Sequence, residues 1–377
     1  MSRKIFVLSY CFPNRANAQL GRFVLEQSEE MRKRGADITI LNVAPLKENP
    51  FKKMYLREEN GFPVYESTVY PIALSKFPAL TTKIFLEKYK KLFKKAIEER
   101  GKPDVIYAHF CFPTGFVAKE IAKELDIPFV IMEYHSYLFR QNLPKFIKEQ
   151  LTDTVDKCRA FMCVAGPLKR RVCELTSCAP DKLSVVHAIV EDRFTYTEPP
   201  KNDRFVFFGA GNLVHGKRFG ILVDAANVLN KKGVDFEVRI AGMGDEWEML
   251  KSKISEYGLE DKVFLLGRKN KEEMLEQYKK CNAFVLLSLV ETYGIVYREA
   301  MLVGRPVISS KNDGVQEDWQ DSFGKIMEET TPENLAVEMQ NMMENYHSYD
   351  FKAISDATAE VCSAEKICEK VFSAMQI

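Results

Sequence analysis

Short apolar runs alternate with longer segments of helical spacing along this chain, and the alternation repeats itself. Residues 4–8 carry Ile5, Phe6, Val7 and Leu8 and predict a buried first strand. A loop with Pro13, Asn14, Asn17 and Gly21 follows, then Phe23, Val24, Gln27 and Met31 at helical spacing. Arg32-Lys33-Arg34-Gly35 closes that helix, with cations at the negative end of the dipole and a glycine stop. Residues 36–41 then read as a second strand. The same grammar returns two hundred residues later. Residues 205–208 predict a strand, Gly209-Ala210-Gly211 a loop, 219–229 a helix ended by Gly233, and 234–240 the next strand.

Strand, loop, helix and strand, twice over, predict two doubly wound α/β units. Further short strands are expected at 104–108, 128–133, 160–165 and 183–187, and at 263–266, 283–289 and 306–310. The stretch 191–204, with Pro199-Pro200 and few apolar residues, reads as the linker. The expectation is therefore α/β, with two Rossmann-like domains facing across a cleft. The first spans 1–195 and the second 196–363, while 364–377 forms a short terminal helix.

Composition narrows the function without naming it. The 54 basic and 53 acidic side chains nearly cancel, which gives no electrostatic footprint for a nucleic-acid partner. Nine cysteines show no Cys-x-x-Cys pair and no accompanying His cluster, so they read as free or buried thiols of a reducing compartment. The opening apolar run is broken by Ser9, Tyr10 and Pro13, too soon for a signal peptide. No run approaches membrane-spanning length. A cytoplasmic chain is expected. Residues 76–102 carry nine Lys or Arg against three Glu, with Phe85, Tyr89, Leu92 and Phe93 at helical spacing. That segment is either an outer helix packed on the first sheet or a peripheral contact with the inner face of a membrane.

The chemistry concentrates in residues 291–308. Glu291 precedes a helix that opens at about Gly294, and unpaired backbone N–H groups at Gly294, Ile295 and Val296 suit a diphosphate. Glu299 lies farther down the helix, where a carboxylate can accept two hydrogen bonds from ribose hydroxyls. Gly211, Gly216 and Lys217 satisfy most of a P-loop, but Arg218 replaces the hydroxyl residue that holds magnesium. A P-loop-like nucleotide-binding protein and a degenerate, non-catalytic donor-binding subunit stand as alternatives. Gly209-Ala210-Gly211 is only a weak hint of nicotinamide binding, because Val214 falls where a third glycine belongs.

The segment 291–308 resembles the E-x7-E segment of retaining glycosyltransferases of family 4, whose pattern is E-x-F-G…E-A-M-x-x-G-x-P-V-I. Gly211-Asn212-Leu213-Val214-His215-Gly216-Lys217 resembles the family's G-R-L-x-x-x-K segment, and Gly242-Met243-Gly244 and Leu266-Gly267-Arg268 match two further strand ends. In the first half, Gly21-Arg22-Phe23 fits the family's glycine loop, and Ala108-His109-Phe110 and Glu133-Tyr134-His135 fit its His-bearing strand ends.

The resemblance implies a GT-B enzyme that moves a sugar from a nucleotide-sugar donor to a saccharide or lipid-linked acceptor, in a setting such as polysaccharide assembly. It implies catalytic roles for Glu291 and His135. It implies donor contacts from Gly21, Asn212, Lys217, Arg218, Gly244, Arg268, Gly294, Ile295, Val296 and Glu299. It also implies that 364–377 crosses back to the first domain. No cofactor is expected, and with no Asp-x-Asp in the chain no metal is expected either. Asn212 stands where Arg is common, Arg218 where Gly follows the Lys, and Asp313-Gly314 where two glycines are usual. Ala188-Ile189-Val190-Glu191 replaces a common N-G-V-D. These departures bear on donor identity, not on the fold.

Overall fold

A computed structural model describes residues 3–14, 20–45, 54–70 and 76–376, so Asn17 lies outside the described residues. The chain divides into two compact units, Met1–Ile189 with Ala364–Ile377, and Val190–Ser363.

The first unit is built on eight strands: β1 (Arg3–Ser9), β2 (Ala36–Pro45), β3 (Tyr55–Glu59), β4 (Phe62–Val69), β5 (Val105–His109), β6 (Phe129–Glu133), β7 (Ala160–Cys163) and β8 (Leu183–Val185). They lie in the order β3-β4-β2-β1-β5-β6-β7-β8, all pairs parallel except β3 with β4. Ile5, Phe6, Val7 and Leu8 of central β1 are wholly buried, and each such burial stabilises by roughly 1.5–3 kcal/mol. The β3–β4 hairpin turns at Asn60-Gly61, with φ 48 and 78. Two consecutive positive φ values are the requirement of a type I′ turn, which Asn-Gly meets at low steric cost.

Helices α1 (Arg22–Lys33), α2 (Pro78–Arg100), α3 (Phe116–Leu125), α4 (Lys145–Lys157) and α5 (Gly166–Thr176) complete most of this layer. Helix α2 buries Phe85, Tyr89, Leu92, Phe93 and Ala96 beside β2 and β4, which is the outer-helix arrangement. Phe77 and Leu80, at its start, are about half exposed (51% each).

The second unit holds β9 (Phe205–Ala210), β10 (Phe236–Ala241), β11 (Val263–Gly267), β12 (Ala283–Leu286), β13 (Val307–Ser310) and β14 (Gly324–Met327), all parallel. Their order is β11-β10-β9-β12-β13-β14, so the winding reverses between β9 and β12. Numbered within the unit this is 3-2-1-4-5-6, the doubly wound nucleotide-binding order. Helices α6 (Phe219–Lys231), α7 (Trp247–Glu256), α8 (Lys271–Lys280), α9 (Ile295–Leu302), α10 (Asp313–Gln316), α11 (Pro332–Glu344) and α12 (Phe351–Cys362) belong to it.

The chain then returns to the first unit as α13 (Ala364–Met375), which packs against α1 and β6 and buries Ile367, Val371 and Met375. At the other crossing, the buried Arg305 guanidinium fastens the incoming segment around Thr197 and Glu198. It donates to the carbonyls of Tyr278 (3.0 Å), Thr197 (3.1 Å) and Glu198 (3.1 Å) and to Thr197 Oγ1 (2.7 Å).

Candidate functional site

In parallel α/β sheets, ligands bind beyond the carboxyl ends of the strands where the winding reverses. In the second unit that point lies between the loops after β9 and β12. Residues 211–217 are held there by backbone bonds: Gly211 N to Ala241 O (3.0 Å), Leu213 N to Met243 O (3.1 Å) and Leu289 N to Gly216 O (2.8 Å). These bonds bring Lys217 and Glu291, 74 residues apart in sequence, into a direct ion pair. Ser288 Oγ donates to the same Glu291 oxygen at 2.9 Å. Glu291 also packs against Gly314, where an added Cβ would lie 2.6 Å from Glu291 Cβ. The glycine that matters at the Asp313-Gly314 departure is thus retained, while Asp313 begins α10 behind an Asn312 cap.

Gly294 holds φ 74 at the N-cap of α9, a left-handed conformation that an L side chain resists. A Cβ there would approach the Tyr297 ring to 2.5 Å. Ile295 and Val296 open the helix, whose first N–H groups lack intrahelical partners. Tyr297 OH donates to Leu286 O (3.0 Å) and accepts from Ser309 Oγ (2.9 Å), locking α9 onto β12 and β13. Arg298, 2% exposed, donates to Tyr293 O (2.5 Å) and Gly314 O (2.6 Å) and fixes the loop that carries Glu291.

Glu299 lies deeper than a binding carboxylate at the surface would, at 2% exposure. Lys271 Nζ reaches one oxygen at 2.5 Å and Tyr278 OH donates to the other at 2.9 Å. Arg218 adopts φ 56 just before α6 and is half-buried. Asn212 is exposed on the β9 loop. Gly244 follows β10 with its backbone against Leu213, whose carbonyl oxygen would be 2.3 Å from any Cβ. Arg268 follows β11, two strands from β9. The structure therefore couples Lys217 to Glu291 directly and sets Asn212, Gly244 and Arg268 after β9, β10 and β11, while Glu299 lies within α9.

The first unit reverses its winding between β1 and β5. There Gly21, at φ 60, lets the start of α1 press on the β1 loop, because a Cβ would fall 1.9 Å from Cys11 O. His135 follows β6, with its Nε2 2.5 Å from Tyr10 OH and the Phe110 ring 4.3 Å away. The buried Glu133 carboxylate accepts from three backbone N–H groups: Cys111 (2.7 Å), Tyr134 (2.8 Å) and His135 (2.7 Å). Burial lowers the His135 pKa and the nearby Glu133 opposes that shift. Burial raises the Tyr10 hydroxyl well above its ordinary value. His109 is wholly buried, neither ring nitrogen has a hydrogen-bond partner among the described residues, and burial lowers its pKa to about 3. It is a neutral packing residue between Tyr107 and Tyr134 rather than a proton carrier.

Among the described residues, no group of three or more His, Cys, Asp or Glu could hold a metal ion, and no helix is long and apolar enough to cross a membrane. Sequence reasoning missed Ser288, Lys271, Tyr278, Tyr10 and Glu133. Tyr10 and Glu133 could have been flagged as polar residues ending buried runs at the first unit's strand ends, but Lys271 and Tyr278 carry no such signal.

Residues 191–357 match the family described as Glycosyl transferases group 1, and residues 20–193 match Glycosyltransferase Family 4. The chain belongs to the glycosyltransferases. This glycosyltransferase is 28% identical over 277 residues to the uncharacterized glycosyltransferase MJ1178 of Methanocaldococcus jannaschii, covering 72% of this chain and 73% of the relative. It is 36% identical over 111 residues to the amylovoran biosynthesis glycosyltransferase AmsK of Erwinia amylovora, covering 28% of this chain and 27% of AmsK. Two solved structures share its fold. Sucrose-phosphate synthase of Thermosynechococcus elongatus aligns with TM-score 0.75 at 14% identity, over 99% of this chain and 98% of that one. HepE of Anabaena, in complex with UDP and glucose, aligns with TM-score 0.72 at 17% identity over 100% of both. The fold of this glycosyltransferase is GT-B.

Proposed function

We propose that this glycosyltransferase transfers a sugar from a nucleoside-diphosphate sugar to a saccharide or lipid-linked acceptor, with retention of configuration and without a metal. The observation that carries the reading is the Lys217–Glu291 ion pair beside the opening of α9, at the reversal point between β9 and β12. As the bond from sugar to phosphate breaks, negative charge grows on the diphosphate. Lys217, Arg218 and the N–H groups at Gly294, Ile295 and Val296 would neutralise it, which is the service a metal performs elsewhere. Glu291, released by Lys217, would take hydrogen bonds from the sugar hydroxyls, and Glu299 from the ribose. Asn212, Gly244 and Arg268 would border the nucleotide.

His135, lowered by burial and joined to Tyr10, is proposed as the catalytic residue of the first unit, and Gly21 as a donor contact. Polysaccharide assembly is the proposed setting, supported by the name of the AmsK relative. A cytoplasmic location with peripheral membrane contact through 76–102 is proposed on the basic surface of α2 and the exposed Phe77 and Leu80.

The test is thermal unfolding with UDP, GDP, ADP and their sugar conjugates, alongside ATP with magnesium and NAD. A ligand specific for the folded state raises the midpoint by mass action. Stabilisation by one nucleoside diphosphate in the presence of a chelator is expected. Response only to ATP with magnesium, or to none of them, would remove the reading.

A further inference from the structure

Helix α8 presents two donors to one buried carboxylate. Lys271 is its first residue and Tyr278 lies seven residues on, two turns along the same face. The start of α8 is pinned by a capping box, with Glu273 N donating to Asn270 Oδ1 (2.9 Å) and Asn270 N to Glu273 Oε2 (2.9 Å). The Lys271 ammonium reaches Glu299 Oε1 at 2.5 Å and also lies 5.5 Å over the Phe194 ring. Tyr278 OH donates to Glu299 Oε2 at 2.9 Å, with the Val296 carbonyl oxygen 3.2 Å away. The Glu299 side chain is 3% exposed and the Lys271 side chain 21%, so the ammonium is the outer member of the pair.

A glutamate has three side-chain torsions, and a diol can be read by two hydrogen bonds only if the carboxylate plane is fixed beforehand. Glu299 is fixed from both oxygens. A carboxylate offers about four lone-pair directions, so the two donors of α8 leave room for two more. Lys271 has nothing to do with the apolar packing of α9, and no glycine or proline framework calls for it. Its ammonium is the charged partner of Glu299.

We propose that Lys271 is a positioning residue of the donor site, holding the Glu299 carboxylate in the orientation that receives the 2′- and 3′-hydroxyls of a ribose. This rests on the donor reading given above. Lys271 thereby sets the preference for ribonucleoside over deoxyribonucleoside donors and acts on donor affinity, not on the transfer step.

The experiment compares UDP with 2′-deoxy-UDP, and the GDP and ADP pairs likewise, by calorimetric titration of the full chain, with steady-state kinetics on the sugar conjugate of the nucleotide that binds. The wild-type chain is expected to prefer the ribonucleotide by about tenfold or more, the worth of one lost hydrogen bond to a charged acceptor. Lys271→Met should bring that ratio close to one and raise KM for the donor about tenfold, with kcat within about twofold. Lys271→Arg, which keeps a cation of similar reach, should restore most of the preference. A folded Lys271→Met that keeps the wild-type ratio overturns the proposal, even if it melts earlier. If Lys271→Met does not fold, the arginine variant and Tyr278→Phe decide it, the latter expected to lower the ratio by loosening the second oxygen. A wild-type chain that binds none of the nucleotides removes the donor reading itself, which is a different result from an unchanged ratio.

Discussion

Lys217 and Glu291 neutralise each other across the gap between the β9 and β12 loops, with Ser288 Oγ completing the carboxylate's partners at 2.9 Å. Under the proposed function the cation assigned to the diphosphate is held by the acid assigned to the sugar, and donor binding would exchange these partners. Glu291→Gln should then bind UDP, or whichever nucleoside diphosphate stabilises the chain, about two- to fivefold more tightly. That is the worth of a partly exposed pair, up to about 1 kcal/mol. Transfer should fall at least about a hundredfold. Calorimetry and a transfer assay measure the two together, and a variant that loses nucleotide affinity in step with transfer would contradict the exchange.

Glu133 holds the backbone of Tyr134 and His135 through its carboxylate. Glu133→Gln turns amide hydrogens toward the N–H groups of Cys111, Tyr134 or His135. A destabilisation of about 2–4 kcal/mol in urea unfolding is expected, with loss of transfer beyond what the unfolded fraction explains. A change under about 0.5 kcal/mol would show that these three bonds contribute little.

His109 makes the fold acid-sensitive. Its pKa falls from the ordinary 6.5 to about 3 on burial. The unfolded chain takes up a proton that the folded chain refuses, so stability intact above about pH 6.5 is lost as pH falls from there toward 3, by about 1.4 kcal/mol per unit. His135, also lowered by burial, pulls in the same direction. His109→Phe should therefore flatten the acid limb without abolishing it, sparing about 2 kcal/mol between pH about 7 and about 5. Urea midpoints at the two pH values give the comparison, and parallel losses in wild type and variant would refute it.

Two glycines at helix starts should respond oppositely to alanine. Gly294, at φ 74 with the Tyr297 ring 2.5 Å from a built Cβ, should lose about 1–3 kcal/mol and most nucleotide affinity. Gly220 lies within α6, where a Cβ meets only Met249 Cε at 3.8 Å, and should gain about 0.4–1 kcal/mol. Melting curves of the two variants decide the pair, and a stable Gly294→Ala would show that the left-handed turn is not required.

The alternating pattern carried the sheets because a parallel strand buried on both faces must be apolar, as 5–8, 206–208 and 283–286 are. The edge hairpin at β3 and β4 was harder to read. Its strands are partly polar, with Arg57, Glu58, Glu59 and Glu66, and only Asn60-Gly61 announces the turn. Glu291 and Lys217 were legible from the segments around them. Lys271 and Tyr278 were not, since their contacts with Glu299 depend on where α8 docks beside α9. The sequence also does not reveal that Lys217 pairs with Glu291, because that contact joins residues 74 apart.

The return of α13 to the first unit reverses the order in which the two halves can be completed. As the chain leaves the ribosome, the second unit has all of its residues once Ser363 has emerged, whereas the first, begun earlier, still lacks the helix that lies against α1 and β6. Until Ile367, Val371 and Met375 arrive, the apolar surface they cover stands open to water. The half that is synthesised first is the half that finishes last, and a chain shortened by a dozen residues at its carboxyl end would leave its amino-terminal half unfinished.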